Sequence, residues 1–168
     1  MLQGTECTVI MAYLCHFNLI RAADIFLGQN SNTVILENQL ELLNTKFDRG
    51  PDDLHKLVCG TPLHFVASLG RTEIAGILIA AGADINNLAY GGLNVLNSAL
   101  LVRCGTSSSM MKLLLLSNAD PSSPDVALTP LQSAVLFGYA IEDDVQRLLE
   151  AGADVNAIGH DEAVIAMI

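Results

Sequence analysis

Residues 60–70 read GTPLHFVASLG, and residues 80–87 read AAGADINN. Thr61 suits an N-cap, because its hydroxyl can accept from a backbone N–H left free at a helix start. Pro62 then falls at the first helical position, where its missing N–H costs nothing. Leu63, Val66 and Ala67 recur at helical spacing and form one apolar stripe. Gly70 can take the left-handed conformation that closes a helix. A second helix is predicted from about Thr72, with Glu73 favourable in its first turn. Ile74, Ile77 and Leu78 make its buried stripe, and Gly82 is its closing cap. Residues 83–92 then form a long turn.

The same punctuation returns downstream. LTPLQSAVLFG at residues 128–138 and EAGADVNA at residues 150–157 repeat both halves, with Thr129-Pro130, Gly138, Val145, Leu148, Leu149 and Gly152 in the matching places. Between them GLNVLNSALL (92–101) and SNADPSS (117–123) form a weaker copy. The step from Thr61 to Asn94 is 33 residues, and from Asn94 to Thr129 it is 35. In the middle copy Asn94 replaces the capping Thr and the Pro is lost. Asn118 stands where Gly82 and Gly152 stand, and is predicted to supply the left-handed cap itself. Asn94 to Asp120 spans 26 residues against 23 from Thr61 to Asp84, so about three extra residues are expected in a longer loop at 103–109, RCGTSSS.

TPLH at 61–64, TPLQ at 129–132, GADIN at 82–86 and GADVN at 152–156, with a period near 33 residues, resemble the ankyrin-repeat family. The resemblance covers about residues 56–158. It implies an all-α solenoid of stacked antiparallel helix pairs joined by hairpin-like turns. The expected division is a helical N-terminal segment at 1–55, combining a worn repeat with an extra helix at 33–47. Three repeats follow at about 56–88, 89–124 and 125–158, and a further unit begins at 159–168. Thr61, Pro62, His64, Gly70, Gly82, Asp84, Asn86, Thr129, Pro130, Gly138, Gly152, Asp154 and Asn156 are the positions expected to carry the repeat structure. A single pair cannot bury its own apolar face, so stability is shared between units and the interfaces they form.

Composition agrees with a packed helical chain. Of 168 residues, 51% are hydrophobic and 15% charged, which excludes disorder for the chain as a whole. Aromatics are 5% and Trp is absent, so the core must be aliphatic. A net charge of −10 argues against binding a phosphate backbone and suits a basic or apolar partner; the plainer reading is that acidity keeps an apolar chain in solution. Cys7, Cys15, Cys59 and Cys104 form no CxxC pair and read as small buried hydrophobes in a reducing compartment. Residues 8–27, TVIMAYLCHFNLIRAADIFL, approach the length of a membrane span. His16, Asn18, Arg21 and Asp24 interrupt them, so buried helices are the better reading.

No site for chemistry emerges. Phosphate-binding, nucleophile-elbow and HExxH signatures are absent from the sequence, and Gly91-Gly92 reads as a turn. His64 has no ligand or carboxylate at useful spacing. The resemblance gives it a structural role in tying neighbouring units together, and Asn97 and Gln132 replace it in the other units. His16, His55 and His160 lack companions. Asp84 and Asp154 lie two units apart, too far to work as a pair, and fit turn hydrogen bonding.

The expected function is therefore that of a non-enzymatic scaffold for another protein, without cofactor, metal, nucleic acid or membrane. It would be intracellular, in the cytoplasm with the nucleus also open to it. The alternative is a recognition or regulatory region of a larger multidomain protein, an array linked to an NTPase or enzyme and followed by further repeats of its own. In ankyrin stacks the partner meets the turn tips and the exposed side of the first helices. Here those positions are Leu57, Val58, Ser68, Leu69, Ala89, Tyr90, Gly91, Leu101, Val102, Asp125, Val126, Leu136 and Phe137, with Tyr90 as the aromatic anchor.

Overall fold

The computed structural model describes residues 43–46, 60–89, 91–101, 107–123, 125–137 and 142–160. Six helices, and no strands, occur among the described residues: α1 (Pro62–Ser68), α2 (Thr72–Ala80), α3 (Val95–Leu100), α4 (Ser107–Leu116), α5 (Pro130–Phe137) and α6 (Glu142–Glu150). They form three pairs, α1 with α2, α3 with α4 and α5 with α6. The first helices pack in a row, α1 on α3 on α5, and the second helices in a parallel row, α2 on α4 on α6. This is the all-α solenoid that the repeat spacing implies.

Each first helix opens with one device written three ways. Asn94 accepts from the Asn97 N–H at 3.0 Å, and Asn97 accepts from the Asn94 N–H at 3.0 Å. Thr129 and Gln132 repeat the exchange at 3.1 and 2.9 Å. At α1 the Thr61 N–H donates to His64 Nδ1 at 3.3 Å, and the Thr61 hydroxyl lies 2.8 Å from the same nitrogen. TPLH, NVLN and TPLQ are thus three versions of a capping box, in which the side chains of the first and fourth residues each accept from the other's free backbone N–H.

The closing turns are equally regular. Gly70, Gly82, Gly152 and Asn118 all have positive φ, Asn118 at 66°. After α2 the Ala83 N–H donates back to the Leu78 carbonyl at 3.0 Å. After α4 Ala119 donates to Leu114 at 3.0 Å, and after α6 Ala153 donates to Leu148 at 2.9 Å. This is the Schellman closure, which needs a left-handed residue just beyond the helix. Gly138 lies outside the described residues. Asn tolerates this conformation at a cost that Gly avoids. Asn118→Gly is therefore expected to leave stability equal or higher by up to about 1 kcal/mol, and Asn118→Val to lower it by about 1–2 kcal/mol. Urea unfolding of the two variants would check this; a Val variant as stable as the parent would contradict it.

The core is aliphatic along the length of the stack. Leu63, Val66, Ile74, Leu78, Leu96, Leu100, Met110, Met111, Leu114 and Leu148 are buried in one cluster, which Leu43 joins from the N-terminal side. Three expectations need correction. The run Ser107–Ser109 opens α4 and is not part of a loop, consistent with the preference of Ser for helix starts over helix interiors. Ala89 and Val126, taken up below, are the others; the burial of Asp144, in the first turn of α6, has no counterpart among the sequence expectations. Asp144 is fully buried and occupies the core position of Ile74 and Met110. Of the predicted extra helix at 33–47 only residues 43–46 are described, and the predicted repeat at 1–30 lies outside the described residues.

Candidate protein-interaction surface

The turns between units are tied to one another as well as to themselves. Asp84, Asp120 and Asp154 each accept from the N–H two residues on, at 3.0, 2.8 and 2.8 Å, in the local turn that Asp favours. Each of the same aspartates donates its own N–H to the unit before. Asp84 donates to Asn44 Oδ1 at 2.8 Å, Asp120 to Asn86 Oδ1 at 2.9 Å and Asp154 to Ser122 Oγ at 2.8 Å. The Ala127 N–H donates to the Gly92 carbonyl at 2.8 Å, and His160 donates to Val126 at 3.1 Å. Asp84, Asn86 and Asp154 therefore hold successive turns in register, the two carboxylates within their own turns and the Asn86 amide oxygen between units.

A second row of bridges runs through the first helices. Asn97 Nδ2 donates to the Leu128 carbonyl at 3.0 Å and to Ser133 Oγ at 2.5 Å. Gln132 Oε1 accepts from the Gly159 N–H at 3.1 Å. His64 occupies the matching place in the first unit and is buried. Burial pushes its pKa from 6.5 down to about 4. The Leu93 carbonyl opposes this, Lys46 reinforces it, and the Asn87 carbonyl and the Asp84 carboxylate oppose it. A neutral, enclosed imidazole at neutral pH suits a structural link and is closed to substrate. Among the described residues no group of three or more His, Cys, Asp or Glu side chains could hold a metal ion.

The ankyrin-repeat family model matches residues 60–89 and 128–160. The chain carries ankyrin repeats. The middle unit of the ankyrin stack falls between the two matched stretches, where Asn replaces Thr and the Pro is missing. A curated relative, the ankyrin repeat and KH domain-containing protein mask-1 of Caenorhabditis elegans, is 33% identical over 131 residues, which take in 73% of this chain. The chain spans about 5% of that protein's length. Ankyrin repeats in general are protein-interaction modules.

The fold distributes the residues expected to face a partner unevenly. Ser68, Leu101 and Leu136 hold the same place at the end of successive first helices; the first two are half-buried and Leu136 is exposed. Leu69 is half-buried against the core, while Gly91 and Asp125 are exposed on the turns. Ala89 and Val126 depart from the expectation. They are 5% and 1% exposed, because the turns stack on each other and enclose them. Residues 62–67 of α1 and the whole of α3 are also buried, so in these two units the first helices offer only their C-terminal ends. Leu57, Val58, Tyr90 and Val102 lie outside the described residues, as does the side chain of Phe137.

Sequence reading missed a separate apolar face. Val135 is 79% exposed, Val155 69% and Ile158 75%. Val135 and Val155 border an open cleft of about 400 Å3 with Leu128, Leu131, Gln132 and Leu136. The sequence carries no clear signal for it, because Val135 is aliphatic at the same repeat position as the enclosed Leu100 and Ala67.

Proposed function

We propose that this chain is a protein-interaction module without chemistry of its own. It binds a partner along the edge made by the turn tips and the C-terminal ends of the first helices. The observation that carries this reading is the row Ser68, Leu101 and Leu136, accessible side chains in one register on a hydrogen-bonded stack. Leu69, Gly91 and Asp125 extend the row, and Leu57, Val58, Tyr90, Val102 and Phe137 are assigned to the same edge from their repeat positions. The partner is a protein with an apolar segment flanked by basic groups. The apolar part matches Leu101 and Leu136, and the basic part matches a chain of net charge −10. The module needs no cofactor and works inside the cell, where cysteines stay reduced. Among the described residues no helix is long and apolar enough to cross a membrane.

A second reading makes the module the recognition region of a larger multidomain protein. The observation that favours it is the relative, which combines ankyrin repeats with a KH domain and is far longer than this chain.

Affinity capture with quantitative mass spectrometry tests the first reading. The parent is compared with a Ser68→Glu, Leu101→Glu, Leu136→Glu variant whose circular dichroism matches the parent. Specific partners are expected to fall at least about tenfold, the effect of roughly 1.4 kcal/mol. Undiminished recovery of every partner by the folded variant would remove this edge as the binding surface.

A further inference from the structure

We infer that α6 is a detachable helix: it leaves the stack on its own while α5 stays docked, so the third unit has a closed and an open form. The second helices differ in what anchors them. Ile74, Ala75 and Leu78 of α2 are buried, and so are Met110, Met111 and Leu114 of α4. The matching residues of α6 are Asp144, Val145 and Leu148. Leu148 and Asp144 are buried, and Val145 is half-buried. Three enclosed apolar side chains thus hold α2, three hold α4, and only Leu148 holds α6.

The other enclosed anchor of α6 is a carboxylate. Asp144 is shut from water as completely as Ile74 and Met110. An acid in the first turn of a helix gains from the helix dipole. Dehydrating a carboxylate costs more than that, and even a well-paired buried charge is commonly bettered by an apolar side chain of similar volume. Arg147 places a second charged group on the same side of α6. It is half-buried where Ile77 and Leu113 lie half-buried against the core. When α6 swings out, both charges regain water, a hydration that Ile74 and Met110 have no use for.

Helix α5 is held differently. Asn97 of α3 donates to the Leu128 carbonyl and to Ser133 Oγ, and the Ala127 N–H donates to the Gly92 carbonyl. Leu128, Ser133 and Ala134 are buried. The boundary of the opening element therefore falls between α5 and α6, inside the third unit. Leu136 remains on α5 in both forms, so this equilibrium and the binding edge proposed above stand or fall separately.

Hydrogen exchange of the 168-residue chain, read by mass spectrometry on peptides from each helix, tests this. After correction for intrinsic rates, amides of α6 are expected to exchange at least about tenfold faster than those of α2, α4 and α5. Their rates should also depend more weakly on urea, because less surface is exposed in the opening. Asp144→Leu is expected to slow exchange in α6 by at least about tenfold. Exchange of α5 as fast as that of α6 would mean that the third unit frays as a whole, and α6 exchanging in step with α2 and α4 would mean that it does not open separately. Either result overturns the proposal. So does an Asp144→Leu variant that fails to fold or whose α6 exchange is unchanged or faster, since the carboxylate would then be neutral or a tether.

Discussion

Replacing Leu96 by Ala is expected to destabilise the chain by about 3–4 kcal/mol, the range for removing a fully enclosed Leu side chain and leaving a cavity. Leu96 is 0% exposed and lies on α3, which packs against α1, α4 and α5. A void there cannot be closed by moving one neighbour, since three helices meet around it. The loss also falls on both interfaces of the middle unit, and in a stack those interfaces hold the outer units together. For a chain of this length the change corresponds to a fall in melting temperature of roughly 10 °C. Val135→Ala removes a similar side chain from an exposed position and should change stability by less than about 0.5 kcal/mol. Chemical denaturation of both variants decides the matter. A Leu96→Ala cost below about 1 kcal/mol would mean that α3 is not the centre of the packing.

What could be read from the sequence was what local chemistry decides. Thr61, Asn94 and Thr129 announced helix starts because a capping side chain acts within three residues of itself. Gly70, Gly82, Gly152 and Asn118 announced helix ends because the left-handed turn is a property of one residue. Burial was harder to read, since it depends on a neighbour about 33 residues away. Ala89 and Val126 lie in turns that look exposed in isolation and are closed by the next turn. Val135 and Leu100 are both aliphatic at the same repeat position, yet one is exposed and the other enclosed. Asp144 had every mark of a solvated helix-start acid, and only the packing of α6 on α4 reveals its core position. His64, the residue whose type most suggests chemistry, is read as structural from the sequence because Asn97 and Gln132 stand in its place in the other units. Neither amide can act as a general base, but both can bridge units.

The role of His64 carries a second large effect, on the pH dependence of stability. Its pKa in the folded chain is about 4, lowered from 6.5 chiefly by burial. An unfolded chain accepts the ring proton near 6.5, while the folded chain resists it until about 4. The stabilisation is thus fully present above pH 6.5, declines as the pH falls and is exhausted below about 4. At 1.36 kcal/mol per pH unit, acidification across that window should cost the fold about 3 kcal/mol. His64→Asn copies the middle unit, where Asn97 accepts from the capping N–H and donates to the Leu128 carbonyl. It keeps the capping acceptor and removes the titration. Stability measured by urea unfolding at a series of pH values should therefore fall more steeply between 6.5 and 4 for the parent than for His64→Asn, with the curves running parallel above 7. Carboxylates titrating near the lower end of the window contribute equally to both chains, so the difference between the curves isolates the imidazole. Parallel curves throughout would place the His64 ring in contact with solvent, against its burial.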